Sequence, residues 1–247
     1  MRAIPLAVLA LLSAHLVAQA PDPSARFRIG MGFAVGELDH RTDNSLLDGE
    51  VDAMLSRFQF EGTSRKGFGG GVRFEYLATD DDLFTGTGFT ETEARMWSSY
   101  AHFTYRFAHR RFAMPVRMGL LFNLYELDEQ NTDIDITYGS LGPYFEVAPE
   151  FDFIGSRNIG WSIYGEFGAG ITGTAIDIDN DSNDYTAATA MFGVEVGTRA
   201  RFGPAEIGFA FVSRWQTMDE SDEENGLVVL GYDADFQGFL FTMAVVL

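Results

Sequence analysis

The sequence predicts an all-β protein, a transmembrane up-and-down antiparallel β-barrel of ten strands, with eight or twelve as the alternatives. Three observations lead there. Ten segments alternate apolar and polar residues with a period of two. Most of these segments are longer than soluble strands, which usually run about 3 to 10 residues. The connections between them alternate between short and basic, and long and acidic.

The first segment, Arg26 to Gly36, reads RFRIGMGFAVG. Successive strand side chains point to opposite faces. Phe27, Ile29, Met31, Phe33 and Val35 therefore share one face, and Arg26, Arg28 and three glycines share the other. A soluble sandwich would bury the apolar row. A membrane barrel would turn it to lipid and the arginines inward. The later segments favour the barrel. Segment two sets Phe58 and Phe60 against Arg57, Gln59 and Glu61. Segment three sets Phe68, Val72, Phe74 and Tyr76 against Arg73 and Glu75. Segment four sets Trp97, Phe103, Tyr105 and Phe107 against Ser98, His102, Thr104 and Arg106.

Segment five is the clearest. Phe112, Met114, Val116, Met118, Leu120, Phe122 and Leu124 form one unbroken apolar row with Arg117, Gly119 and Asn123 between them. On a 3.6-residue helical period these apolar groups would spread around the whole circumference. Segment six opposes Leu141, Phe145, Val147, Phe151 and Phe153 to Tyr144, Glu146, Glu150 and Asp152. Segment seven opposes Trp161, Ile163, Phe167 and Ile171 to Tyr164 and Glu166. Segment eight opposes Phe192, Val194, Val196 and Phe202 to Glu195, Arg199 and Arg201. Segment nine opposes Ile207, Phe209, Phe211 and Trp215 to Glu206 and Arg214. The tenth runs Phe239, Phe241, Met243, Val245, Leu247. Trp97, Trp161 and Trp215 lie near strand ends on the apolar face, where an interfacial girdle places them.

The connections GTSRK, HRR, GSRN and GP are short. DHRTDNSLLDGE, TDDDLFTGTGFTETE, DEQNTDIDIT, DIDNDSND and TMDESDEENGLVVLGYDAD are read as long loops. This alternation puts every long loop at one end, as membrane barrels do with their outer loops. Of the 36 Asp and Glu residues, 27 fall in the long-loop regions. An even strand count then places both termini of the mature chain in the periplasm of a bacterial outer-membrane protein.

Residues 1–20 read as a cleaved signal peptide: Arg2, an apolar run from Ile4 to Ala14, and a small-residue end at Ala18-Gln19-Ala20. Residues 21–247 form the barrel domain. The chain has no cysteine, so neither a disulfide nor a thiol-linked lipid anchor is available. A net charge of −19 argues against nucleic acid, whose phosphates attract basic surfaces.

On the inward face stand nine arginines (26, 28, 57, 73, 106, 117, 199, 201, 214) and eight acids (Glu61, Glu75, Glu146, Glu150, Asp152, Glu166, Glu195, Glu206). Isolated charges in a narrow lumen are costly, whereas paired ones are tolerated. The expected lumen network therefore comprises Arg28, Arg57, Arg73, Arg106, Arg117, Glu146, Glu150, Glu166, Glu195, Arg199 and Arg214. A ten-stranded barrel is little wider than the eight-stranded kind that side chains fill, so the lumen is expected to be plugged.

With its export signal, its repeated strands and the segments GGGVRFEY, GPYFEV and YGEFGAG, the chain resembles the small bacterial outer-membrane barrels, OmpA-like in the broad sense. The resemblance covers Ala25 to Leu247. It implies outer-membrane lipid and lipopolysaccharide around the protein, delivery by the barrel assembly machinery, and a monomer. Many members end in Phe or Trp, and this chain ends in FTMAVVL. The wall-anchoring role of longer relatives is not expected.

No catalytic residue and no cofactor is assigned. Ser98 and His102 are the one tempting pair, but four strand residues separate them by about 13 Å. His40 is placed in a loop and His102 in the interior. Asp177, Asp179, Asp181 and Asp184 offer the hard oxygen ligands a divalent cation prefers, without EF-hand spacing. The run LVVLGY after MDESDEENG is a candidate cover for the mouth, with a plain acidic hairpin as the alternative. Ser140 is expected near a strand end, where an arginine would be mild. The expected role is a structural, non-enzymatic barrel with acidic outer loops, serving envelope integrity or surface interaction. The alternative is a narrow channel for small solutes, which needs a wet path past the charges.

Overall fold

A computed structural model gives the structure, which describes residues 26–42, 48–79, 83–84, 92–109, 111–129, 134–155, 159–179, 181 and 183–247. The expected signal peptide lies outside these residues. The strands are β1 (Arg26–Thr42), β2 (Gly49–Thr63), β3 (Phe68–Thr79), β4 (Thr92–His109), β5 (Phe112–Glu129), β6 (Ile134–Val147), β7 (Glu150–Gly155), β8 (Ile159–Ile178), β9 (Tyr185–Phe202), β10 (Ala205–Met218) and β11 (Tyr232–Val246).

These eleven segments occupy ten positions in one closed wall. Ala148-Pro149 interrupts a single wall position, because proline has no N–H to give the ladder. Both halves stand between β5 and β8: Arg117 faces Glu146 on β6 and Phe112 faces Phe151 on β7, while Glu150 faces Tyr164 across on β8. The interruption is bridged by Ala148 N–H to the Pro115 carbonyl (2.8 Å) and Gly165 N–H to the Pro149 carbonyl (2.9 Å). All neighbours are antiparallel. Closure comes from β1, which pairs with β2 on one side and β11 on the other, Gly32 opposite Arg57 and Thr242.

The apolar rows face out. Phe33, Phe74, Phe103, Met118, Leu141, Ile171, Phe209 and Phe239 are exposed, Phe103 at 80 %. A soluble protein does not leave a continuous aromatic and aliphatic belt in water; this is the surface of a membrane barrel. From Phe27 to Val35 the belt extends about 27 Å along the strand, which at ~40° tilt spans about 21 Å. The longer row of β5 gives about 30 Å by the same reckoning. Trp97 and Trp161 are exposed at opposite ends of the belt, and Trp215 is half-buried.

The strands run further than the alternation suggested. β1 continues to Thr42, β5 to Glu129 and β8 to Ile178, so residues 130–133 and 179–184 alone connect β5 to β6 and β8 to β9. The expected loop DEQNTDIDIT is therefore strand at both its ends, while in DIDNDSND the strand takes in only Asp177 and Ile178. Once the outward face leaves the apolar belt, polar and acidic residues take over, and the hydrogen-bonded ladder simply continues. Glu37, Asp39 and Arg41 occupy that outward row of β1.

At the other end the chain reverses tightly. Gly67 and Gly203 hold positive φ (85° and 60°), a conformation glycine adopts without a Cβ clash. A Cβ at Gly67 would stand 2.6 Å from the Arg106 carbonyl oxygen. In the last connection Asn225 and Gly226 both have positive φ, and Glu224 and Leu227 exchange two backbone hydrogen bonds of 2.9 Å. This is the two-residue hairpin that Asn-Gly favours.

Candidate functional site in the barrel interior

The interior is layered. Nearer the short-turn end lies a charged tier of five arginines and five glutamates. Arg57 donates through Nε to Glu75 (2.7 Å) and through Nη1 to Glu195 (2.6 Å). Arg73 pairs with Glu146 at 2.8 Å and Glu166 at 3.4 Å. Arg117 pairs with Glu61 at 2.7 Å, with Glu146, and with Glu166 at 3.7 Å. Arg199 holds Glu166 at 2.9 Å, and its guanidinium lies 3.4 Å from the centre of the Tyr164 ring. Arg214 holds Glu75 at 3.0 Å.

Strand register accounts for two of these pairs, since Arg57 faces Glu75 and Arg117 faces Glu146 on adjacent strands. Arg199 and Glu166 stand on neighbouring β9 and β8, offset in register, and the rest reach past a neighbouring strand: β2 to β9, β3 to β6 and β8, β5 to β2 and β8, and β10 to β3. Glu166 and Glu195 face each other directly, an arrangement of like charges that costs stability unless compensated. Arg199, Arg73 and Arg117 neutralise the first, and Arg57 with the Tyr164 hydroxyl (2.6 Å) the second. Glu195 is 1 % exposed and Glu146 2 %, so these are buried charges satisfied by several donors each.

The remaining residues of the expected network lie toward the short-turn mouth. Arg28 pairs with Glu206 at 2.9 Å, and Arg26 reaches Glu150 at 3.5 Å. Arg106 makes no ion pair within 4 Å among the described residues. These groups border a cavity of about 90 Å³.

Above the charges the lining changes character. Asn123 takes a hydrogen bond from Ser98 (2.6 Å) and gives one to Gln216 across the lumen (2.7 Å); Gln216 in turn donates to the Tyr232 hydroxyl. Ser140, Thr174 and Thr189 form a second polar chain, with links of 2.7 and 2.6 Å. Ser140 is therefore completely buried, not near a permissive mouth; it lies inside because β6 starts at Ile134 and carries it into the wall. A cavity of about 50 Å³ separates this layer from the charges, and it shares no lining residue with the first cavity.

The third tier is aromatic and aliphatic. His40, Tyr125, Tyr138 and Tyr232 stand ring against ring, with centroids 4.8 to 5.9 Å apart. The Tyr125 hydroxyl and His40 Nδ1 are hydrogen-bonded at 2.9 Å. Leu38, Val51, Leu55, Leu77, Ile176, Met218 and Phe236 fill the spaces around them. Leu83 and Phe84 join from the β3–β4 connection, 1 % and 4 % exposed, with the Phe84 ring 5.5 Å from His40. Val229 of the LVVLGY run packs on the same cluster, while Leu227, Val228 and Leu230 stay exposed. The last connection is thus a hairpin that lends one side chain to the cover.

This tier is the part the sequence reading missed, and His40 is the correction it forces. His40 is interior strand, 1 % exposed, because β1 extends past the belt. Its even position, shared with Arg26 and Arg28, was the signal. Below it, Tyr144 lies against Gly168, Gly170 and Gly193, where added Cβ atoms would collide with its side chain. The glycines of YGEFGAG make room for a ring.

Ser98 gives its hydrogen bond to Asn123 and not to His102, whose ring stacks on Tyr100 at 4.8 Å. The acidic set also fails to converge. Asp177 is an exposed strand residue, Asp179 and Asp184 are exposed, and Asp181 is engaged by the Tyr185 hydroxyl (2.8 Å) and the Asn183 amide (3.1 Å). No group of three or more His, Asp or Glu among the described residues is arranged to hold a metal ion.

No protein-family model and no curated protein matches the chain. Solved structures do align along nearly its whole length. The outer membrane protease OmpT from Escherichia coli aligns with a TM-score of 0.45 at 9 % identity, over 91 % of this chain and 97 % of that one. The translocator domain of the autotransporter NalP from Neisseria meningitidis gives 0.40 at 8 %, over 96 % and 95 %. The Pseudomonas putida toluene transporter TodX gives 0.33 at 6 %, over 92 % and 90 %. A protease, a translocator and a transporter share this likeness, which distinguishes no activity.

Proposed function

We propose that the protein is a non-enzymatic bacterial outer-membrane barrel with an occluded lumen, and that it serves envelope integrity or surface interaction. The observation that carries this reading is the stack of three tiers, each tying opposite walls together. An open pore needs a continuous wet path. Here the charges cancel one another, the amides and hydroxyls cross-link, and rings close the long-loop end. Chemistry finds little support: Ser98 is spent on Asn123 and His40 on Tyr125, His102 stacks on Tyr100 with neither ring nitrogen hydrogen-bonded among the described residues, and no hydroxyl–histidine–carboxylate relay is assembled among them.

The reading also assigns the short-turn end and both termini to the periplasm and the acidic end to the cell surface, beside lipopolysaccharide. A monomer suffices, since one chain closes the wall. In a strain lacking the protein, sensitivity to detergent should rise while uptake of small sugars stays unchanged. Unchanged detergent sensitivity with slowed sugar uptake would instead support the narrow-channel reading.

A further inference from the structure

The interior cavity at the short-turn mouth, about 90 Å³, is walled by charged side chains. It has room for about three waters at roughly 30 Å³ each, or for one small oxyanion. Part of its wall belongs to the charged tier, where arginines and glutamates balance. The rest does not balance: Arg26, Arg28, Arg106 and Arg201 stand against Glu150, Asp152 and Glu206. Two of those acids are already engaged, Glu150 by Arg26 and Glu206 by Arg28. Arg199 also lines the cavity, and its buried Nε has no hydrogen-bond acceptor among the described residues. Glu206 Oε1 lies 4.0 Å from that nitrogen, beyond hydrogen-bond reach. The strands flanking Arg199, β8 and β10, are described throughout. A buried donor on a charged group is costly to leave unmatched and calls for a partner. Ser162, 5 % exposed, adds a hydroxyl to the same wall.

We propose that this cavity binds one small oxyanion of the phosphate type, admitted from the short-turn end. Guanidinium groups present planar, paired N–H donors that match the oxygens of such an anion. The excess of one cation on the wall suits a single small anion, and Asp152, which makes no ion pair within 4 Å among the described residues, opposes a more highly charged one. The next cavity inward shares no lining residue with this one, so the anion is held at the mouth and not handed on. The inference stands on the mouth alone and goes beyond the occluded-barrel reading, since it does not require the lumen to be closed.

The test is calorimetric titration of the full mature chain in detergent with inorganic phosphate, at constant ionic strength set by chloride. The wild type should bind one phosphate per chain, with saturation. R106Q should weaken binding roughly ten-fold, the loss of one hydrogen bond to a charged group. D152N should tighten it, because a like charge leaves the wall, and E223Q in the distant hairpin should leave it unchanged. Arg106 makes no ion pair within 4 Å among the described residues, so R106Q should unfold at the wild-type midpoint. If R106Q does not fold, the opposite shift expected of D152N decides. Absence of saturable binding would overturn the proposal, as would equal affinity for the wild type, R106Q and D152N. Displacement of phosphate by an equal concentration of chloride would leave a general anion sink and overturn the oxyanion assignment. Conductance separates the two levels: a wild type that conducts and still binds phosphate defeats the occluded-barrel reading and keeps this site.

Discussion

Arg73 and Arg117 do the most cross-linking in the charged tier, each touching three glutamates. Removing either leaves buried carboxylates without their donors, and breaking a buried pair in this way costs about 3 to 5 kcal/mol. R73A and R117A should each lower unfolding stability in vesicles by that amount. On the outside, Met118 is exposed in the middle of the belt, where an arginine near the bilayer midplane costs about 2 to 4 kcal/mol. M118R should show that loss, and E223R, in the solvent-facing hairpin, should stay within about 0.5 kcal/mol. Ser140 is unsuitable as the mild comparison, since an arginine there would break its bond to Thr174 inside the wall. Ring chemistry follows the same division. Seven of the nine tyrosines are buried, whereas Phe84 and Phe236 are the buried phenylalanines among the described residues. A tyrosine hydroxyl needs a partner that the interior supplies and hydrocarbon does not.

Each strand is one wall position with two chemistries, and the period-two alternation made that legible residue by residue. The outward face of all ten positions follows from Phe, Met, Leu and Ile recurring at every second place. Where the reading fell short, the cause was physical. An inward leucine or tyrosine above the belt, such as Leu38, Tyr125 or Tyr138, blurs the contrast between faces, so strand ends were read as loops. Parity would have carried them inward. The cross-lumen pairs are a different matter. Arg214 to Glu75 joins residues 139 positions apart, and which glutamate an arginine reaches depends on shear and closure, not on local pattern. The acidic outer row of the extended strands and the basic short turns lead to an orientation prediction at this scale. A cysteine at Glu223 should be labelled on intact cells by an impermeant reagent, and one at Lys66 should be labelled after the outer membrane is permeabilised. Labelling of K66C on intact cells would reverse the orientation.

For the whole molecule, closure and filling depend on each other. Ten strands enclose a lumen that arginines can span in pairs, and the inward glycines leave space for guanidinium groups and for Tyr144. At its own level of the barrel the charged tier supplies cohesion in place of hydrophobic burial, because the large apolar side chains of those strand stretches face lipid. The aromatic tier packs residues drawn from β1, β5, β6 and β11 and from the β3–β4 connection across the long-loop end. On the proposed occluded-barrel reading each tier blocks solute passage by a different means, so no single substitution is expected to open a pore. Planar-bilayer recording tests this central claim most directly. The wild type should show at most small, sporadic conductance, and R73A and R117A should lose stability without gaining a large channel. A large, steady single-channel conductance from the wild type, with both variants as stable as the parent, would contradict the plugged interior and make the protein a channel.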